Sequence, residues 1–322
     1  MKAAVRRKYG SPDVIRIEDI ETPVPKDNEV LIRVRATTVN RTDCANLTAK
    51  PFIMRFVLGL NKPTKKIIGT DYAGEIVDLG KNATAFQLND RVFGFYDTGL
   101  ESQAEYIAVK EEHVWKIPSN LDFNMAVAGL EGAHYAYSFL EKNKFSKGQK
   151  VLINGATGAI GSALLQFIKE FDVEITATCK PEMNDIILGL GADKTIDYTT
   201  SDFTNSNIKY NFIFDTVGKT TFGKSKNVLT EDGIYISSEL GPNAQNVYFS
   251  IATSRSSGMK VIFPVPYNTQ KTIPFIIKQL EEGKFKPLID REFHLDEVAK
   301  AYSFVMSGQK NGNVIVDLQC EK

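Results

Sequence analysis

Residues 151–171 read VLINGATGAIGSALLQFIKEF. The run Val151-Leu152-Ile153 is short and wholly apolar, which suits a buried parallel strand. The apolar residues Ile160, Leu164, Phe167, Ile168 and Phe171 then recur near the 3.6-residue period of one helical face. Between the two stand Gly155, Gly158 and Gly161, so the unit reads strand, glycine turn, helix. Glycines let a chain bend tightly and leave room for an anion to reach the first N–H groups of the helix, whose positive dipole end attracts it. The turn made of Gly155, Ala156, Thr157, Gly158, Ala159, Ile160 and Gly161 is therefore a candidate cradle for a dinucleotide pyrophosphate, with Gly161 letting the helix pack closely on its strand. It departs from G-x-G-x-x-G: aligned on Gly158 and Gly161, that fingerprint puts a glycine where this chain has Ala156. Taken alone, the same residues also fit an ordinary strand-to-helix turn.

With 322 residues the chain is long enough for two domains and a large core. Lys and Arg together number 39, as do Asp and Glu, a balance that gives no footprint for a polyanion and argues against nucleic acid. The three cysteines, Cys44, Cys179 and Cys320, form no C-x-x-C pair, which fits a reducing compartment. No apolar run approaches the roughly 20 residues of a membrane span, and the start MKAAVRRKYG is charged where a signal peptide needs an apolar core. The expectation is a soluble, cytoplasmic protein without a membrane partner.

Outward from the glycine turn the chain changes texture twice. Residues 1–121 carry short apolar stretches such as Glu29 to Ala36, Gly74 to Leu79 and Arg91 to Phe95, punctuated by Asp, Asn, Gly and Pro, and predict a β-rich domain. From 122 to 285 strands and helices alternate: Val173 to Thr178, Lys194 to Asp197, Asn211 to Asp215, Gly233 to Ser237 and Met259 to Val265 read as strands, with helices between them. That alternation predicts an α/β fold with a doubly wound parallel sheet. Residues 286–322 hold one helix, Asp296 to Met306, and one strand, Asn313 to Leu318. Two elements are too few for a domain, so this tail is expected to return to the first one. The stretch Lys50 to Lys66 (KPFIMRFVLGLNKPTKK) is basic and apolar together; it fits a membrane-touching or lid segment, or a helix or loop packed at a domain edge.

A dinucleotide sheet needs a discriminator at the end of its second strand, where an acid would hold the ribose 2′-hydroxyl of NAD. Here that end reads Thr178-Cys179-Lys180, with no acid before Glu182, and a cation with a hydroxyl suits the 2′-phosphate of NADPH. A plain solvated lysine would read the same way. Zinc needs three or four gathered ligands, yet His113, His134 and His294 stand in unrelated contexts and no ligand pair has metal-like spacing. There is no G-x-S-x-G elbow and no Walker loop. What remains is hydride transfer with a nicotinamide cofactor carrying the reaction.

The start MKAAVRRKYGSPDVIRIEDIETPVPKDNEVLIRVRATTVNRTD, the stretches GTDYAGEIVDLG and NDRVFG, the loop NGATGAIG, then LGADKTIDY, FDTVG and GKFKPLIDREFHLDEVAKAY together resemble the medium-chain dehydrogenase/reductase superfamily. Within it, the chain looks most like the zinc-free, quinone-oxidoreductase-like branch, including bacterial proteins described loosely as NAD(P)-dependent alcohol dehydrogenases. The resemblance implies a GroES-like catalytic domain built from both chain ends around a Rossmann domain. Zinc-bearing members carry a cysteine ahead of an aspartate where this chain has Asn40 ahead of Asp43, and Gly-His-Glu where it has Gly69-Thr70-Asp71; no metal is therefore expected. By the same resemblance Asn40 lies beside the nicotinamide, Lys180 and Tyr198 flank the 2′-phosphate, and Thr216, Val217 and Gly218 line the nicotinamide side, with Ser237, Gly241 and Phe263 completing the groove. Many relatives have Gly-Leu-Thr-Ala where this chain has Gly129-Leu130-Glu131-Gly132. Glu131 could take part in proton transfer, or be a salt-bridged structural acid.

The resulting expectation is an NADPH-dependent, zinc-independent reductase of quinones or α,β-unsaturated carbonyls, with Asn40 and Glu131 as the catalytic candidates. Conjugation in such substrates spreads the developing negative charge, so hydrogen-bond donors suffice. Simple ketone or aldehyde reduction and a non-catalytic NADPH sensor are the alternatives. A homodimer through the sheet edge at Ile262-Phe263-Pro264-Val265 is a further expectation, with Pro264 and Pro266 limiting the pairing.

Overall fold

The structure is a computed structural model and describes residues 1–255, 257–264 and 268–319. The chain forms two compact units, Met1–Glu131 together with the part from Thr269 onward, and Gly132–Asn268. Residues 122–131 and 269–285 thus pack with the first unit.

The first unit is a sheet built around one long strand. Strands β1 (Lys2–Val5) and β2 (Arg16–Asp19) form an antiparallel pair, and β3 (Glu29–Thr38) follows. Along β3 the side chains alternate as a half-buried strand requires: Val30, Ile32 and Val34 are buried, while Arg33 and Arg35 reach the other face and pair with Glu75. Two helices come next, α1 (Arg41–Thr48) and the single turn α2 (Arg55–Leu58). The strands β4 (Asp71–Leu79), β5 (Arg91–Phe95), β6 (Tyr106–Lys110) and β7 (Trp115–Lys116) complete the N-terminal part of the sheet, and α3 (Phe123–Ala128) packs against β3 and β4. Helix α4 (Glu131–Glu141) follows.

The second unit holds β8 (Lys150–Asn154), α5 (Ala159–Ile168), β9 (Glu174–Cys179), α6 (Asn184–Leu190), β10 (Lys194–Asp197), β11 (Tyr210–Asp215), α7 (Phe222–Ser225), β12 (Leu229–Ser237), α8 (Gln245–Ala252) and β13 (Lys260–Ile262). Its six strands are all parallel and run in the order β10-β9-β8-β11-β12-β13. That is the doubly wound dinucleotide order, in which the strand sequence reverses beside β8. Helix α5 is apolar nearly all round and buries Leu164, Leu165, Phe167 and Ile168, each such side chain adding about 1.5–3 kcal/mol of burial. The strand expected over Met259 to Val265 ends at Ile262; Val265 and Pro266 lie outside the described residues, as does Cys320.

The tail then supplies α9 (Thr269–Glu281), β14 (Ile289–His294), α10 (Val298–Met306) and β15 (Asn313–Asp317). It does return to the first unit, where the sheet order is β14-β15-β3-β4-β5-β7 with β6 also on β3. One edge of β3 is shared: β6 pairs with Glu29–Arg33, and β15 with Ala36–Thr38. Tyr302, Val305, Val314 and Val316 close a core with Leu47 of α1. Strand β14 corrects the expectation of a single strand in the tail. Its sequence IDREFH puts exposed charges in the middle of an edge strand, which erases the apolar run that would announce it.

Candidate active site

At the end of β3 the ladder to β4 stops at Ala36–Ala73, and Thr37 and Thr38 turn their hydrogen-bonding groups to Asp71 instead. Asp71 Oδ1 accepts the Thr38 N–H at 2.7 Å and the Thr37 hydroxyl at 3.1 Å, and Oδ2 accepts the Thr38 hydroxyl at 2.5 Å. The next residue but one, Asn40, caps α1. Its side-chain oxygen accepts the Asp43 N–H at 2.8 Å, and Asp43 Oδ2 accepts the Asn40 N–H at 3.1 Å, a reciprocal capping box. Asn40 Nδ2 faces Thr70 Oγ1 at 2.9 Å, Thr38 Oγ1 at 3.3 Å and Asp71 Oδ2 at 3.4 Å. Both amide protons and the carbonyl are therefore engaged within the cluster. Asn40 ties Asp43 to Asp71 rather than presenting an open donor.

Three carboxyls gather here. Burial pushes Asp71 up to about 6, and burial together with the Asp71 charge raises Asp43 well above the usual carboxylate range. Glu131, 5 % exposed, is pushed up to about 7 by burial, with Asp71 and Asp97 adding to the rise and Lys310 and the Thr42 hydrogen bond opposing it. The Thr42 hydroxyl donates to Glu131 Oε1 at 3.0 Å. Among the described residues no cationic nitrogen lies within 4 Å of Glu131, and Lys310 acts on it from beyond ion-pair distance. Lys310 donates to the Gly312 carbonyl at 2.5 Å, and burial lowers its pKa. No group of three or more His, Cys, Asp or Glu among the described residues is arranged to hold a metal ion.

In the second unit, the nucleotide candidates all fall at or just past the carboxyl ends of the parallel strands, where ligands of open α/β sheets bind. Gly155 follows β8, Lys180 follows β9, Tyr198 follows β10, Thr216 follows β11, Ser237 ends β12 and Phe263 follows β13. Gly155 has φ +87°, and a Cβ there would meet Val217 Cγ1 at 2.4 Å; a Cβ on Gly161 would meet the Gly155 carbonyl oxygen at 2.2 Å. At Gly158, the N-cap of α5, a Cβ would meet nothing nearer than that oxygen at 3.5 Å. Two glycines thus let the turn close, and the third leaves open space before the first N–H groups of α5. These residues fit a pyrophosphate.

The turn is held by Asn154 and Asp215, which the sequence reading did not single out, together with Thr178 and Thr216, which it did. Asn154 donates to Asp215 Oδ1 at 3.1 Å and accepts the Thr178 hydroxyl at 2.9 Å, while Thr178 Oγ1 accepts the Gly155 N–H at 2.9 Å. Asp215, fully buried, also accepts from Gly218 N at 3.0 Å, Val217 N and Thr220 N at 3.3 Å and the Tyr235 hydroxyl at 3.0 Å. Thr216 Oγ1 donates to the Asn154 carbonyl at 2.9 Å. The one sequence signal of Asn154 and Asp215 is polarity at the ends of two apolar strands, VLIN and NFIFD. The Thr178 hydroxyl is committed inside this network and Cys179 is 2 % exposed. Of the three residues at the end of β9, only Lys180 presents its side chain, at 4.0 Å from Glu182. Tyr198, half exposed, stands one residue past the Cys179–Asp197 register pair, as Lys180 does. Ser237 is buried and accepts the Glu239 N–H at 3.2 Å, Gly241 has φ +70°, and the Phe263 N–H donates to Ser250.

Two family profiles match: "Alcohol dehydrogenase GroES-like domain" over residues 26–119 and "Zinc-binding dehydrogenase" over residues 190–316. The chain is 30 % identical to the 2-methylene-furan-3-one reductase of Solanum lycopersicum and to the chloroplastic NADPH-dependent alkenal/one oxidoreductase of Arabidopsis thaliana. In both cases 98 % of this chain and 79 % of the relative are covered. It is 28 % identical to the quinone oxidoreductase of Homo sapiens over 96 % of this chain and 94 % of that one. Among solved structures, the quinone oxidoreductase from Coxiella burnetii superposes with a TM-score of 0.85 at 24 % identity, covering 99 % of each chain.

Proposed function

The chain belongs to the medium-chain dehydrogenase/reductase superfamily, in its quinone-oxidoreductase-like branch and with NAD(P)H-dependent oxidoreductases as its relatives, and from that premise we propose an NADPH-dependent, zinc-independent reductase of α,β-unsaturated carbonyls and quinones. Bound NADPH would supply the hydride. The second unit's part is to hold that cofactor: the turn from Gly155 to Gly161 takes the pyrophosphate, Lys180 and Tyr198 the 2′-phosphate, and the loop Thr216-Val217-Gly218, fixed by Asp215, the nicotinamide end. Ser237, Gly241 and Phe263 complete that side.

The first unit's part is the proton. The carrying observation is Glu131: a buried acid with no ion pair among the described residues, pushed up to about 7, and hydrogen-bonded to the Thr42 hydroxyl. Near neutral pH a large share of it is protonated. Once the Thr42 hydroxyl turns from Glu131 Oε1 to the substrate and the Glu131 O–H donates to Thr42 Oγ1 in its place, Thr42 gives its proton to the substrate as negative charge develops on the carbonyl oxygen or α-carbon and takes the Glu131 proton, leaving the carboxylate. Asn40 holds the acids that surround this pair. Conjugated substrates suit such a site because delocalisation already spreads the charge, and a hydroxyl and a carboxylic acid complete the stabilisation. The names of the two relatives at 30 % identity, a furanone reductase and an alkenal/one oxidoreductase, support this substrate class.

The test is NADPH oxidation, followed at about 340 nm, against enones, quinones and simple ketones, with and without a chelator. Turnover of enones or quinones that survives the chelator is expected. Turnover confined to simple carbonyls and abolished by the chelator would overturn the reading, as would NADPH binding without turnover of any of them.

A further inference from the structure

The stretch between Cys44 and Thr70 contains five cations, Lys50, Arg55, Lys62, Lys65 and Lys66, and no Asp or Glu. Its ends pack inward through Leu47, Ala49 and Ile68, but the part from Phe52 to Leu60 does not pack as a domain-edge helix would: Phe52 is 61 % exposed, Ile53 69 %, Phe56 73 %, Val57 67 % and Leu60 52 %, while Leu58 is buried and Met54 half-buried. Their exposed area is on the order of 500 Å², the size of the largest apolar patch on a typical monomer, and here it sits on one short segment.

The segment is held in this pose. The Tyr9 hydroxyl donates to the Gly59 carbonyl at 2.6 Å, the Thr64 N–H to Leu58 at 2.9 Å and the Gly59 N–H to Arg55 at 2.9 Å. The Arg55 guanidinium stacks over the rings of both Tyr9 and Phe52. Gly59, with φ +120°, makes the reversal, and a Cβ there would meet the Lys62 carbonyl oxygen at 2.2 Å. The apolar side chains are thus displayed by a braced turn.

Among the described residues none of the five cations has a carboxylate within 4 Å. Behind Val57 lies a cavity of about 100 Å³, lined by Arg6, Val57, Leu58, Thr64, Lys65 and Thr98 and containing no acid. Arg6 is 4 % exposed, and its Nε has no hydrogen-bond partner.

We propose that this segment docks the first unit onto an anionic phospholipid surface, with Phe52, Ile53, Phe56, Val57 and Leu60 entering the headgroup–acyl boundary and Lys50, Lys62 and Lys66 facing lipid phosphates. Apolar side chains flanked by cations of one sign are the two contributions that add in peripheral membrane binding. A second copy of the chain is disfavoured on this face because the five cations of each copy would meet without acids between them. The contact lies on the surface and does not cross it; no helix among the described residues is long and apolar enough to span a membrane.

Flotation of the full chain with vesicles of phosphatidylcholine alone and with about 30 mol% phosphatidylglycerol tests this. Binding at least about tenfold stronger to the anionic vesicles is expected, weakening as salt rises. The pair Phe52→Ser with Phe56→Ser should abolish it, and Lys62→Glu with Lys66→Glu should weaken it about tenfold or more. Circular dichroism and the urea-unfolding midpoint serve as the control for folding in each variant, while NADPH turnover of a water-soluble enone bears on the redox reading alone. No binding to anionic vesicles by the folded wild-type protein would overturn the proposal, as would equal binding by the Phe52/Phe56 variant. Self-association that the Phe52/Phe56 change removes, without vesicle binding, would assign the face to a second copy instead.

Discussion

A carboxyl that titrates near 7 has consequences for both rate and stability, and for Glu131 the two can be separated. If its protonated form delivers the proton, turnover is full below about 7 and falls as pH rises through that value. Glu131→Gln should remove that limb and lower kcat about 100-fold, which a pH–rate profile of the two proteins would show. For stability, the folded pKa lies above the ordinary value of 4.5, so between about 4.5 and 7 the folded state binds more protons than the unfolded chain. Its contribution is complete below that window and is lost as pH rises through it, by on the order of 3 kcal/mol. Urea unfolding at several pH values should show a flatter profile for Glu131→Gln. Asp71 adds a loss of the same sign between 3.8 and about 6. In the second unit Asp215 and Lys180 should behave as opposites. Asp215→Ala removes the acceptor of five hydrogen bonds and should cost about 3 kcal/mol or more in unfolding experiments, with NADPH affinity falling as the 216–218 loop is released. Lys180→Ala should leave stability within about 0.5 kcal/mol while cutting the preference for NADPH over NADH about tenfold in paired titrations.

At the level of elements, the strand–turn–helix unit of β8 and α5 was legible because two periodicities meet there with glycines between them. Its physical test is Gly161→Val, which drives carbon into the Gly155 backbone and should destabilise the protein by about 2–3 kcal/mol while weakening NADPH binding, as unfolding and cofactor titration would show. Helix α1 was not legible. Its sequence RTDCANLT has little apolar pattern, and it forms because Asn40 and Asp43 cap it and Leu47 docks under α10. The Asn40-x-x-Asp43 spacing was a visible cap signature, read only against the ligands of zinc-bearing relatives. Thr42 likewise gains meaning only from a partner 89 residues away in the chain. No local pattern reports such a contact, and the same holds for Asn154 with Asp215.

At the scale of the whole molecule, the returning tail could be inferred because two elements cannot bury a core by themselves. Its exact place could not, since a strand's neighbours depend on tertiary pairing rather than on its own sequence. That place matters for the order in which the protein is made. The second unit is one continuous stretch, whereas β3 gains β15 beside Ala36–Thr38 only when residues 313–317 have been synthesised. A chain emerging from the ribosome can therefore complete its glycine turn while the strand end that grips Asp71 is still missing a neighbour. On the proposed roles, translation would complete the nucleotide-holding unit first and the proton-handling unit last, and a half-made chain would hold a cofactor before it could use one.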